Sequence, residues 1–396
     1  MTEYGTNVRK YFLLNYDYIF LNNASRGVTA IEVLNESHRI RKFIESVPYS
    51  KVDALNRYCN VSNFLANIIN APTSSTVLTK NTTYGLNTVI SSFKFDQNDS
   101  ILITNLTYNA TINMVNNVKD KYKTKILIQE ISFPISYNSI IRDYEEIINK
   151  NKNIKLIIME HITSPTAILM PIKELINIAR RNNIKILVDG AHAIGTLDLN
   201  MELLKPDWYV GSLHKWCFTM KSVGFLYTDI INQDITKSLI VSHLYKKSYM
   251  QRFFMQGTED QSGYLSIPIA FNFINQMGGI KSISNYNSNL VRAAAKICCN
   301  KWNTITLIPV EVCGPTMIPI ILPFNYNKIL NKFKKDIPKK LNKLILDKYK
   351  IEAIIFFAKY NGKNVVCTRL SCSIYNILDD YIRYSDVILE LNEMFG

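Results

Sequence analysis

Ile184-Lys-Ile-Leu-Val-Asp-Gly-Ala-His192 and Asp207-Trp-Tyr-Val-Gly-Ser-Leu-His-Lys-Trp216 are the two stretches on which the fold turns. The first is a short, nearly unbroken apolar run, the pattern of a strand covered on both faces, and it stops at Asp189, Gly190 and His192. The second repeats that pattern in Trp208-Tyr-Val210 and stops at Ser212, His214 and Lys215. Asp189 and Lys215 are 26 residues apart, which leaves room for a crossover segment returning to a neighbouring parallel strand. Both side chains then emerge at one edge of one sheet, where α/β proteins bind their ligands.

Outward from this pair the same rhythm continues. Val77-Leu-Thr79, Ser100–Thr104, Lys125–Gln129, Lys155–Met159, Ile184–Val188, Trp208–Val210 and Val223–Tyr227 read as strands separated by amphipathic segments. Strands alternating with helices mean an α/β fold with a largely parallel sheet. Ile31 to Ile69 is helical in pattern and is broken at Pro72 to Ser75. After Ser266 the pattern changes to a long helical section, Ile318–Leu322, a lysine-rich helical segment, Ile351–Phe357, Val365–Leu370 and a terminal helix. We divide the chain into an N-terminal segment, 1–20, packing with the small domain, a large domain, 21–265, and a smaller α+β C-terminal domain, 266–396.

With 396 residues, 47% of them hydrophobic and 20% charged, the chain is long enough for two packed domains. No apolar stretch approaches the roughly 20 residues needed to span a bilayer, and Met1–Lys10 lacks the apolar core of a signal peptide. The expectation is a cytoplasmic protein without a membrane partner. Seven cysteines are scattered with no Cys-x-x-Cys pair, so neither a metal site nor a disulfide framework is expected. Asn-x-Ser/Thr triplets such as Asn81-Thr-Thr83 are chance matches in so asparagine-rich a chain. The net charge of +14 is spread along the sequence. Its densest part, Lys328 to Lys350, interleaves with Ile329, Leu330, Phe333, Ile337, Leu341, Leu344 and Ile345 at helical spacing, the mark of amphipathic helices rather than of a nucleic-acid site.

A lysine and a carboxylate at one sheet edge suit pyridoxal 5'-phosphate (PLP). The lysine holds the aldehyde as a Schiff base, and the carboxylate keeps the pyridine nitrogen protonated so that the ring draws in electrons. Lys215 and Asp189 fit those roles. Lys80-Asn-Thr-Thr-Tyr-Gly-Leu-Asn87 follows the first strand of the large domain and opens a helix, where free N–H groups and the hydroxyls of Thr82 and Thr83 suit a phosphate. Ser212 and His214, two residues apart, are expected on one side of an extended segment near that phosphate. His192 is expected at the ring or its phenolic oxygen. His161, His192 and His214 each follow a strand closely.

The ordered motifs Leu21-Asn-Asn-Ala-Ser-Arg-Gly27, Asn81–Asn87, His161-Ile-Thr-Ser-Pro-Thr166, Val188–Ala193, Trp208–Trp216, Gln256-Gly-Thr-Glu-Asp260 and Arg369-Leu-Ser-Cys-Ser-Ile-Tyr-Asn376 extend over almost the whole chain. In this order they resemble the class V aminotransferase-like PLP enzymes, most of all the isopenicillin N epimerase branch. The resemblance implies PLP-dependent transferase fold type I, with a mainly parallel seven-stranded sheet between helices. It implies phosphate contacts from Thr82, Thr83, Ser212 and His214, an aromatic stack from Tyr108, and Asp189 and His192 at the ring. It also implies a homodimer with shared sites, in which Gly257-Thr258 serves the partner's phosphate, and an α-carboxylate grip by Arg369. Ser164 stands where related desulfurases carry an asparagine near the cofactor. Asn23 and Arg26 depart from the epimerase-like pattern and are expected to alter the substrate pocket, with Asn23 as a substrate-binding residue. Cys367, two residues from Arg369 in a strand pattern, reads as structural rather than as a persulfide-forming nucleophile.

From a bound amino acid, loss of the α-proton to Lys215 opens epimerisation, transamination, β-elimination and side-chain cleavage alike. The expectation is epimerase or lyase chemistry on an amino acid or amino-acid-containing substrate, with aminotransfer second and cysteine desulfuration third. A PLP fold that has lost catalysis and serves as a basic binding protein is the reading from another class. Intact Asp189 and Lys215 argue against it.

Overall fold

A computed structural model describes residues 3–333 and 336–395. Lys334 and Lys335 of the lysine-rich segment, together with Met1, Thr2 and Gly396, lie outside the described residues. In chain order the strands are β1 (Ile19–Phe20), β2 (Thr76–Thr79), β3 (Ser100–Thr104), β4 (Lys125–Gln129), β5 (Ile154–Glu160), β6 (Lys185–Asp189), β7 (Trp208–Ser212), β8 (Gly224–Thr228), β9 (Met317–Ile321), β10 (Ile351–Glu352), β11 (Ile355–Tyr360) and β12 (Lys363–Ser371).

Seven of them form one sheet in the order β2-β8-β7-β6-β5-β3-β4. β8 runs antiparallel to both of its neighbours, and the pairs from β7 to β4 are parallel. Helices Asn109–Tyr122, Tyr137–Lys150 and Ile172–Arg181 carry the crossovers between parallel strands. The expected seven-stranded, mainly parallel α/β architecture is what the chain adopts.

Alternation along the central strands explains why they read as unbroken apolar runs. Ile157, Met159, Ile186 and Val188 join the core on one face, whereas Leu156, Ile158, Leu187, Trp208 and Val210 join a second core under helix Thr82–Ser92 on the other. Both faces are dry, so apolar residues are needed at every position. The period of two then carries this second face to Glu160, Asp189 and Ser212 at the strand ends. Three polar residues are thereby delivered to one spot beside the start of helix Thr82–Ser92.

Beyond the sheet, helix Ile267–Gln276 packs on helices Ile31–Ser46 and Ala54–Ile68. The long helix Gly279–Trp302 packs on β9 and β12, in the three-stranded sheet β11-β12-β9, and on the last helix, Leu378–Phe395. Helices Tyr326–Phe333 and Ile337–Tyr349 bury Ile329, Ile337, Leu341 and Ile345 of the expected apolar stripe, whereas Leu330 is exposed. Residues 4–20 lie against this C-terminal part: Arg9 pairs with Asp380 at 3.0 Å, the Gly5 N–H donates to the Ile374 carbonyl at 2.7 Å, and β1 pairs with β10. Among the described residues, no helix is long and apolar enough to cross a membrane.

Candidate active site

A cavity of about 240 Å³ opens where Glu160, Asp189 and Ser212 end their strands, and Lys215, His192, Thr82, Thr83, Tyr108, Ser164 and His214 also line it. Lys215 sits in the single helical turn Leu213–Trp216, with Nζ 3.2 Å from His192 Nε2. The Trp216 indole, which can only donate, points its Nε1–H at His192 Nδ1 at 3.4 Å. With Nδ1 accepting, a neutral imidazole carries its proton on Nε2, which can donate to the Lys215 amine once that amine is neutral. Burial pulls the Lys215 amine down to about 8, with Asp189 opposing and Arg369 adding to the shift. Burial, then Lys215 and Arg369, hold the His192 imidazole well below its ordinary range.

Asp189 accepts the Ala191 N–H at Oδ1, 2.9 Å away. Burial raises its pKa while that hydrogen bond and Lys215 pull the other way, so a cation brought against it would favour the carboxylate. At the far end of the cavity, the Thr82 and Ser212 hydroxyls meet at 2.7 Å, and the Thr82 N–H donates to Ser212 Oγ at 3.1 Å. Asn81 caps this helix by accepting the Tyr84 N–H at 2.9 Å. His214 contacts the Val223 carbonyl through Nδ1 at 3.3 Å, and burial lowers its pKa to about 4, so it is neutral. The extended segment expected across Ser212 and His214 is corrected here: the chain turns helical directly after Ser212, and the two residues reach the cavity from a strand end and a helical turn.

Asn23 is also corrected. It does not line the cavity; it is buried, its Nδ2 donates to the Lys215 carbonyl at 2.9 Å, and its Oδ1 accepts the Tyr375 hydroxyl at 2.7 Å. The segment Leu21–Gly27 thus clamps the lysine's backbone. Gly27 takes φ +64°, and a Cβ there would sit 2.1 Å from the His214 carbonyl oxygen and 2.4 Å from that of Lys215. Its neighbours Asn22 and Ser25 instead reach Arg369, which donates to Asn22 Oδ1 at 2.8 Å, to Ser25 Oγ at 3.4 Å and to Ser164 Oγ at 3.0 Å. Arg369 is 3% exposed, and among the described residues no carboxylate lies within ion-pair distance of it. Ser25 and Ser164 line the cavity and bring the guanidinium to its rim.

Thr258 is exposed on a loop and does not line this cavity. That loop is tied down by Lys80–Glu259 at 3.2 Å, Arg41–Asp260 at 2.6 Å and a Tyr84 to Gln256 hydrogen bond. His161 is turned into the protein, its Nδ1 2.8 Å from the Tyr209 hydroxyl. The reading from sequence passed over Glu160 and Ser25. An acidic residue closing an apolar strand was the available signal for Glu160.

The sequence profile described as Aminotransferase class-V matches residues 37–317. The chain belongs to the class-V aminotransferase family. This is a PLP-dependent family, and the donor set fits the group: hydroxyls, a neutral histidine and a helix start for a phosphate, a buried carboxylate for the ring nitrogen, and a lysine of lowered pKa for the aldehyde. The chain is 25% identical to the hercynylcysteine sulfoxide lyase of Schizosaccharomyces pombe across 97% of each chain. It is 30% identical to the isopenicillin N epimerase of Streptomyces clavuligerus over 31% of this chain and 35% of that protein. The fold matches the apo structure of a cysteine desulfurase from Thermococcus onnurineus NA1 with TM-score 0.79 and 19% identity, covering 100% of this chain and 99% of that one.

Proposed function

We propose that this class-V family member is a lyase that removes a sulfur-bearing group from the β-carbon of an α-amino acid. The observation that carries the reading is the arrangement at the cavity: a lining lysine that burial lowers to about 8, a buried arginine without a carboxylate partner that bonds to the lining Ser25 and Ser164, and no cysteine among the described lining residues. A β-elimination needs a base and a carboxylate grip but no thiol. Desulfuration through an enzyme persulfide needs a cysteine at the site, and burial pushes the Cys367 thiol up to about 12. The match, over 97% of each chain, to a lyase whose name specifies a cysteine sulfoxide supports the same choice.

When bound, PLP supplies a sink for the electron pair left at the α-carbon. Thr82, Thr83, Ser212 and His214 would hold its phosphate, Asp189 its ring nitrogen, and Tyr108 would cover the ring. Arg369 would take the substrate's α-carboxylate as a forked ion pair. Lys215 would remove the α-proton, with His192 Nε2 beside it to orient the amine. Gly257 and Thr258, exposed between the Tyr84–Gln256 hydrogen bond on one side and the Lys80–Glu259 and Arg41–Asp260 ion pairs on the other, would reach the phosphate of a second copy, which supports a homodimer with shared sites. Seven free thiols support a reducing compartment, the cytoplasm.

The test offers cysteine, S-substituted cysteines and their sulfoxides, then separately measures the sulfur product, pyruvate and ammonium. The expected result is one of each per turnover. Inversion of the α-carbon with solvent deuterium and no pyruvate would assign an epimerase, and a keto acid retaining the side chain would assign an aminotransferase.

A further inference from the structure

Glu160 closes β5 in register with Asp189 of β6, and both line the cavity. It is 5% exposed, and no basic side chain pairs with it among the described residues. A carboxyl buried beside another carboxyl is unfavourable unless something uses it. Its Oε1 accepts the backbone N–H of Tyr108 at 2.8 Å.

Tyr108 needs such an anchor. Its ring lines the cavity, yet the residue is 52% exposed, so packing does not fix it. The preceding turn is pinned by the Thr104 N–H on Thr107 Oγ1 at 3.1 Å and by Asn105 Nδ2 on the Ile131 carbonyl at 3.1 Å. The following helix, Asn109–Tyr122, begins with the Thr111 N–H on the Tyr108 carbonyl at 2.8 Å. Glu160 secures the remaining backbone group at this junction.

We propose that Glu160 is a positioning residue that sets the Tyr108 ring over the cofactor's place by holding the Tyr108 backbone N–H, and that it contributes to cofactor retention through that ring alone. The proposal rests on the reading that the cavity takes PLP. A neutral acceptor is enough for this task. Burial and the charge of Asp189 push the Glu160 carboxyl up to about 8, so an amide is a fair mimic at pH 7.

The experiment is a double-mutant cycle read as the dissociation constant of PLP from apo-protein, followed by cofactor fluorescence at pH 7. Glu160→Ala should weaken binding about tenfold, the scale of one lost hydrogen bond to an ionisable group. Glu160→Gln should restore wild-type affinity. In a Tyr108→Ala background, Glu160→Ala should add nothing. If the two losses multiply, or if Glu160→Gln binds as weakly as Glu160→Ala, the inference is overturned. Should Glu160→Ala be unfolded at the assay temperature by circular dichroism, Glu160→Met, similar in length and without an acceptor, takes its place in the cycle. A wild-type apo-protein that takes up no PLP brings down the functional reading and this inference together; a wild type that binds while the cycle is additive brings down this inference alone.

Discussion

The lysine amine at the cavity owes its reactivity to where it is buried. Lys215 titrates near 8, so between that value and the ordinary lysine range it is neutral in the folded protein. A protonated amine is no nucleophile. The rate of covalent PLP uptake by apo-protein should therefore rise with pH and reach half its maximum near 8, measured by rapid mixing and absorbance. A midpoint left near 10 would contradict the burial argument. Lys215→Ala should yield no adduct fixed by borohydride. Arg369, lowered by burial only to about 10, keeps its charge at neutral pH. Replacing its fork with a point charge in Arg369→Lys should raise KM for an amino acid about ten- to a hundredfold, with PLP affinity little changed. The wild-type preference for the free acid over its carboxamide should shrink in step. A variant that loses thermal stability but keeps that preference would make Arg369 a structural residue.

At the scale of elements, the segment Leu21–Gly27 acts as a brace on the turn that carries Lys215. Gly27→Ala forces either a left-handed alanine or a shift of the His214 and Lys215 carbonyls. The expected cost is about 1–3 kcal/mol of stability, with a larger loss in PLP retention than a remote destabilising variant of equal thermal midpoint shows. Equal losses in both would reduce Gly27 to a general packing position. The strands were legible because both sheet faces are dry, which writes each one as an apolar run. That Lys215, Asp189, His192, Thr82 and Ser212 share one cavity was legible because they follow such runs or open a helix. Asn23 was misassigned because spacing cannot say whether a side chain near the lysine turns to the cavity or to the lysine's own backbone, which only the packed brace decides. Glu160 went unread because its meaning depends on register with Asp189, a fact of strand pairing. His214 was placed on a strand because nothing in Ser-Leu-His-Lys announces the turn.

For the molecule as a whole, the proposed pairing of copies predicts complementation. Lys215→Ala and Thr258→Trp proteins, each inactive, should on subunit exchange regain about a quarter of wild-type activity, since half the dimers are mixed and each has one intact site. No recovery after demonstrated exchange would confine each site to one chain. The brace has a consequence for how the protein is made. A ribosome delivers Lys215 long before Arg369, yet the lysine's surroundings include Asn23 from the start of the chain and an arginine from β12, and the Ala24 N–H is held by Ser371 Oγ at 3.1 Å. Contacts so distant in sequence close late. A nascent chain therefore presents Lys215 as an ordinary protonated amine, one of many. Only release and closure of the full polypeptide create the amine that outcompetes the others for an aldehyde. Colour from the cofactor should thus appear after synthesis, marking completed chains and sparing truncated ones.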